Sequence, residues 1–277
     1  MNKEGKGYLI VADNTEQTDY VDCAIALARS IKLHTPNAKI ALMTSNDVDN
    51  DIFDYVVGLP FGDQAPNSNW KLKNDWQIFW ATPFKETIKL EADMIVPHSI
   101  EHWWDMFRKR DVVISVGAKN YLQQDTNVRM YRKIFDKNEL PDVYNAITYF
   151  RYSQFASEFF SLVRDIFNDW DNVRTIIKGG DADPGTTDVV YAIAAKALGI
   201  ENCTLPNTSY PKMIHMKGAI NYMSGEDWTQ ELIWEFDKSN IRINTIDQEY
   251  PVHYQVKEFS KKLNEYYEQF FTSTTEV

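Results

Sequence analysis

The sequence predicts an α/β fold on an open, doubly wound sheet, and two observations carry the prediction. The chain opens with strand, helix, strand, strand, an order that calls for parallel strands. A later apolar strand ends in a carboxylate pair, Glu91-Ala92-Asp93, and ligands of open α/β sheets sit at the carboxyl ends of strands. With 277 residues the chain can bury a sizeable core, and residues 1–277 are read as one domain. Residues 1–118 make up a more regular half, and residues 119–277 a less regular half that closes on a C-terminal helix.

Taken in order, Gly7 to Ala12 is a short apolar run closed by Asp13-Asn14, a buried strand. From Asp19 to His34 the apolar residues Val21, Ala24, Ile25, Leu27, Ala28 and Ile31 recur at helical spacing, and Pro36-Asn37 ends the helix. Lys39–Thr44 and Phe53–Leu59 follow as strands. Asp63–Asn69 is a polar loop, and Leu72–Trp80 a helix rich in aromatic residues. Thr87–Leu90 is the strand that ends in the acidic pair. Helix 101–107 and strand 112–116 follow, then a polar, basic excursion over residues 120–142. Val143–Phe150 is a strand and Gln154–Trp170 a helix with an aromatic face. Lys178–Thr187 carries three Gly and a Pro and is a loop, leading into an Ala-rich helix over Thr187–Leu198. Short strands and loops fill the remainder up to an amphipathic helix over Val256–Phe271, and the last residues fray.

Composition narrows the function. The chain is 44% hydrophobic and 25% charged, ordinary for a globular protein. No apolar run approaches a membrane span or a signal peptide. Two cysteines, Cys23 and Cys203, fit a reduced, cytoplasmic protein. A net charge of −11 argues against broad nucleic-acid binding, although residues 108–137 hold eight Lys/Arg against three Asp, a place where an anionic partner can approach. There is no G-x-x-x-x-G-K-S/T loop, no G-x-G-x-x-G after the first strand and no G-x-S-x-G.

The acidic pair is the informative feature. In an extended chain residues i and i+2 project to one side, so Glu91 and Asp93 point together. Like charges that close repel unless a proton or a cation sits between them.

The order of these parts resembles the GT-A glycosyltransferases, especially the group of glycogenin and the lipopolysaccharide galactosyltransferases. TPFKETIKLEADMIV, residues 82–96, looks like that group's strand ending in Asp-Ala-Asp, with Glu91 standing where the group has Asp. YLIVADN and the helix after it look like its first strand, nucleotide loop and first helix. The resemblance runs from about Tyr8 to Gly218. It implies a Rossmann-like mixed sheet flanked by helices and a retaining, nucleotide-sugar-dependent transfer, with UDP as the expected nucleotide and manganese (or magnesium) as the metal. It assigns the metal to Glu91, Asp93 and His215 of the sequence Ile214-His215-Met216-Lys217-Gly218.

The same resemblance places Ala12, Asp13 and Asn14 against the nucleoside, with Tyr20 on the base and Ala92 between the metal ligands. Lys71 or Lys73 matches a basic residue that faces sugar or phosphates. Lys217 and Gly218 would touch the diphosphate, while Asn221 stands where the group has a further Lys. Asn145 and Asp188 are the expected catalytic residues near the donor sugar, with Asp183 a competitor, and both single and double displacement stay open. The acceptor is a saccharide, a protein or modified DNA. A DNA glycosyltransferase acting on hydroxymethylated pyrimidines would use Arg129, Arg132 and Lys133; a member that binds nucleotide without transfer is the non-enzymatic alternative.

Overall fold

The computed structural model describes residues 3–66, 71–126, 132–205, 211–237 and 240–271. Strands β1 (Glu4–Val11), β2 (Ile40–Met43) and β3 (Tyr55–Val57) lie parallel, as the opening of the chain predicts. They continue through β4 (Phe84–Glu91), which is parallel to β1. After β5 (Met94–Ile95) come β6 (Val112–Val116), β7 (Ala118–Lys119), β8 (Asp125–Thr126) and β9 (Val143–Arg151). The central sheet has the order β3-β2-β1-β4-β9-β6, and β9 runs antiparallel to both of its neighbours. The sheet is therefore mixed. Eight consecutive residues of β9 are buried, because an inner strand has both faces covered.

Alternation along the strands divides the core into two layers. Tyr8, Ile10, Ile40, Leu42, Ile88 and Leu90 face one side, against the first helix, Tyr20–His34, and the last, Phe259–Glu268. Leu9, Ala41 and Met43 face the other, against helices Gln154–Asn168 and Thr187–Leu198. Both cysteines are buried and free.

Two local results differ from the periodicity. Residues 71–77 wind as a 3-10 helix, and only Ile78–Ala81 is α-helical. Here the side chains of Asn74 and Gln77 serve the preceding loop: Gln64 N–H donates to Asn74 Oδ1 at 2.8 Å, and Phe61 N–H to Gln77 Oε1 at 2.9 Å. The final helix begins at Phe259 rather than Val256, and it is pinned to the first. Asn264 Nδ2 donates to the Asp22 carbonyl and carboxylate, both at 2.8 Å, and Ser260 Oγ donates to the same carboxylate.

A second sheet carries the later half of the chain up to the first. It has the order β5-β14-β10-β7-β8, where β10 is Ile214–His215 and β14 is Val252–His253. Between these two, β11 (Trp234–Asp237), β12 (Asn240–Ile243) and β13 (Ile246–Asp247) make an antiparallel ribbon. The pairing of β14 with β5, His253 opposite Met94, is what fixes the site. Among the described residues no helix is long and apolar enough to cross a membrane.

Candidate active site

β1 and β4 end side by side, with Val11 in register with Glu91. The chain turns through Ala92-Asp93 into β5, and the antiparallel strand β14 returns His253 to the same point. Tyr254 N–H closes the junction by donating to the Asp93 carbonyl at 3.0 Å. Glu91, Asp93 and His253 thus offer ligand atoms that all lie within 4.8 Å of one another. His253 Nε2 is 3.0 Å from Asp93 Oδ2 and 3.3 Å from Glu91 Oε2, and Lys257 Nζ is ion-paired with Asp93.

The charges set one another. Burial pushes the Asp93 carboxyl up, but His253 and Lys257 outweigh it and hold the group well below the usual carboxylate range. Glu91 goes the other way, raised by burial more than His253 and Lys89 can lower it. Burial alone would strip the His253 proton; Asp93 and Glu91 overcome that and raise its pKa. Two carboxylates and an imidazole, with Asp93 and His253 buried and Glu91 partly exposed, form a donor set that fits a metal ion.

The cluster forms one wall of a cleft of about 390 Å³. Ala12, Asp13 and Tyr20 come to it from the end of β1 and the first helix. Asp13 Oδ1 accepts from Ser45 N–H at 2.5 Å, while its buried Oδ2 has no hydrogen-bond partner, an acceptor left for something in the cleft. Lys71, Gln255 and Lys257 complete the polar rim.

Beneath the cleft lies a buried network. Lys89, 1% exposed in the middle of β4, donates from Nζ to the Asn145 carbonyl at 3.1 Å and pairs with Asp75 Oδ1 at 3.2 Å. Asp75 Oδ2 accepts from Asn145 Nδ2 at 3.0 Å and from the Tyr191 hydroxyl. Asn145 N–H donates to Asp188 Oδ1 at 2.7 Å. The two expected catalytic residues are therefore joined to one another and, through Asn145, to the Lys89–Asp75 pair. Asp75 and Lys89 line the cleft, whereas Asp188 opens onto a neighbouring cavity.

The remaining expected residues fall apart into groups. Ala12, Asp13, Tyr20, Lys71, Ala92, Glu91 and Asp93 are at the cleft. Asn14 is not; its side chain accepts from Val21 N–H at 2.9 Å and shapes the entry to the first helix. Lys73 is exposed and lies outside the cleft.

His215, expected as the third ligand, is replaced in the cluster by His253. β10 lies one strand farther from β5, so the His215 ring stacks behind His253, with centroids 5.0 Å apart. Asn221 Nδ2 donates to the carbonyls of His215 and Lys217, both at 2.8 Å, and holds that turn. A side chain on Gly218 would meet the Gly225 carbonyl oxygen at 2.1 Å, so close packing accounts for this glycine. Lys217 faces the neighbouring cavity. In the loop, Asp183 Oδ1 accepts from Gly185 and Thr186 N–H, each at 2.8 Å, a turn-forming role. Arg129 lies outside the described residues.

Sequence reasoning missed His253, Lys257, Asp75 and Lys89. Lys89 had a signal: it sits two residues before Glu91, on the same side of the strand. His253 and Lys257 had a fainter one, a histidine in a short apolar run with a lysine four residues on, just before the final amphipathic helix.

No protein-family model matches the sequence, and no curated protein does. Solved structures do match. The galactosyltransferase LgtC, in complex with donor and acceptor sugar analogs, aligns over 95% of this chain and 95% of its own, with TM-score 0.57 and 12% identity. The WbbM bifunctional glycosyltransferase aligns over 95% of this chain and 50% of its own, with TM-score 0.52 and 12% identity. GlyE of Streptococcus pneumoniae TIGR4 aligns over 98% of this chain and 64% of its own, with TM-score 0.50 and 9% identity. The chain spans half to two thirds of the latter two proteins. At these identities the likeness is one of fold, and the fold is GT-A, as the sequence resemblance leads one to expect.

Proposed function

We propose that the protein is a metal-dependent, retaining glycosyltransferase that moves a sugar from a nucleotide-sugar, with UDP as the nucleotide, to a hydroxyl acceptor. The observation that carries this reading is the convergence of Glu91, Asp93 and His253 at the carboxyl end of β4, in a cleft whose other wall is the end of β1.

Each residue has a task that its surroundings support. Ala12 and Tyr20 hold the nucleoside, and the unpartnered Asp13 Oδ2 accepts from a base N–H or ribose O–H. Glu91, Asp93 and His253 hold the divalent cation, which when bound neutralises the charge that develops on a departing diphosphate. Lys257 and Lys71 bring further positive charge to the same rim. Lys257 also supplies the basic residue that the resemblance asks for downstream of the histidine, where Asn221 could not. Asp75, Lys89 and Asn145 form the floor beneath the sugar. Their mutual bonds leave little rotational freedom, which favours orientation over movement.

The test is a panel of UDP-sugars with manganese, read by released UDP before any acceptor is added, with a chelator as control. Manganese-dependent release supports the reading. A protein that binds UDP and never turns over a nucleotide-sugar defeats it.

A further inference from the structure

A second cavity, about 470 Å³, adjoins the cleft and shares Tyr144 and Gln255 with it. Gln255 has φ +60°, in the left-handed region that a side chain rarely adopts, between His253 and Lys257. Four cations line the second cavity, Arg132, Lys133, Lys137 and Lys217, against two carboxylates, Asp183 and Asp188. Both carboxylates already accept backbone N–H groups of their own surroundings.

Arg132 is the informative member. It is 8% exposed, its Nη2 donates to the Val143 carbonyl at 2.7 Å, and its guanidinium lies 3.6 Å from the centre of the Phe135 ring. Its buried Nη1 makes no hydrogen bond and is ion-paired with Asp142 Oδ1 at 3.7 Å. A buried guanidinium whose Nη1 is ion-paired but makes no hydrogen bond, with two exposed lysines on the same cavity, is a poor way to line a cavity for neutral ligands. That is the more notable in a chain of net charge −11.

We propose that this cavity is the acceptor site and that it takes a saccharide bearing an anionic group, a carboxylate or a phosphate. The inference rests on the glycosyltransferase reading of the adjoining cleft. The two substrates then meet at Tyr144 and Gln255. There the acceptor oxygen bonds to the anomeric carbon as that carbon's bond to the diphosphate oxygen breaks. The bonding pair leaves with the nucleoside diphosphate, which takes up the hydroxyl proton. The acidic remainder of the chain, net charge −11, favours a sugar acid or sugar phosphate over a DNA duplex.

The test is calorimetric titration of the full chain, loaded with UDP and manganese, with glucuronic acid, glucose 6-phosphate and methyl glucoside. It is repeated on the Lys133→Glu/Lys137→Glu variant, and UDP binding to each sample reports separately on the donor site. The expected result is anionic binding about tenfold tighter than neutral, with that preference lost in the variant. Glucuronic acid and glucose 6-phosphate tell carboxylate from phosphate recognition. Equal binding of the neutral sugar, no change on charge reversal, or capture of a hydroxymethylcytosine duplex in place of the sugars overturns the proposal. If UDP does not bind while the charge-dependent preference persists, the donor reading fails and the anion site stands.

Discussion

His215 and His253 stand in register on neighbouring parallel strands, both buried, their rings 5.0 Å apart and 23° from parallel. Only one of them meets the carboxylates. Opposed effects govern His253: burial favours loss of its proton, and Asp93 with Glu91 outweighs it, so its pKa is raised. For His215 burial dominates and the His253 charge adds to it, so its pKa falls well below the ordinary value. Two identical side chains a strand apart thus have opposite protonation preferences. What separates them is which strand lies against β5, since the residue next to Asp93 inherits the site.

The hardest test of that difference is removal of the charge at its centre. Asp93→Asn removes the counter-ion that His253 and Lys257 share most closely and leaves them only Glu91, 3.3 Å from His253. Breaking a buried charge cluster in this way should cost about 3–5 kcal/mol in metal-free denaturant unfolding. A cost below about 1 kcal/mol would mean that the cluster is open to water and that the contrast between the histidines is overstated.

Next in size is a direct comparison of the two rings. His253→Ala should weaken manganese binding at least tenfold and turnover about a hundredfold, while His215→Ala leaves the metal affinity within about threefold. Titration of manganese by paramagnetic resonance reads the first quantity and released UDP the second. Equal losses in both variants would return His215 to the ligand set.

A pH series sharpens the same contrast with a sign. In metal-free protein His253 has a raised folded-state pKa, so its stabilisation is complete below about 6.5 and is lost as pH climbs through the raised value. His215 is the reverse: its lowered pKa gives stability that is complete above about 6.5 and is lost as pH falls from there. Melting temperatures of His253→Asn should therefore lose the decline on the alkaline side, and those of His215→Asn the decline on the acid side. Parallel curves for the two variants would contradict the assigned environments.

The contrast also explains what could be read beforehand. The β1–β4 wall was legible because it is local: Glu91 and Asp93 lie two residues apart, and although the chain turns at Ala92-Asp93 rather than continuing as a strand, their carboxylates still come within 4.8 Å. The opposing wall is assembled at long range. His253 reaches Asp93 across 160 residues, on a two-residue strand whose partner is another two-residue strand. No periodicity marks elements that short. The His-x-x-Gly at 215–218 drew the assignment instead, yet its glycine answers to Gly225 and its downstream Asn221 to a turn. Strand β9 shows the same limit: Val143–Phe150 is plainly a strand in sequence, but its antiparallel direction depends on where the excursion over residues 120–142 delivers it.

The smallest expected effect tests whether nearness to the cleft, rather than position in a motif, decides function for the lysines as well. Lys71 lines the cleft and pairs with Asp63 Oδ2 at 2.7 Å; Lys73, two residues on, is exposed and outside it. Lys71→Ala should raise KM for a UDP-sugar about threefold to tenfold with kcat less affected, and Lys73→Ala should change neither by more than about twofold. Part of any Lys71 effect could come from the loop that Asp63 organises, since Asp63 also accepts from Asn74 Nδ2 at 2.8 Å and from Ala65 N–H at 2.8 Å. Asp63→Asn separates the two causes: it loosens the loop yet leaves the lysine charge in place. If Asp63→Asn reproduces the KM of Lys71→Ala, the lysine acts through the loop alone. If KM in Asp63→Asn stays near wild type, the charge at the rim is what the donor feels.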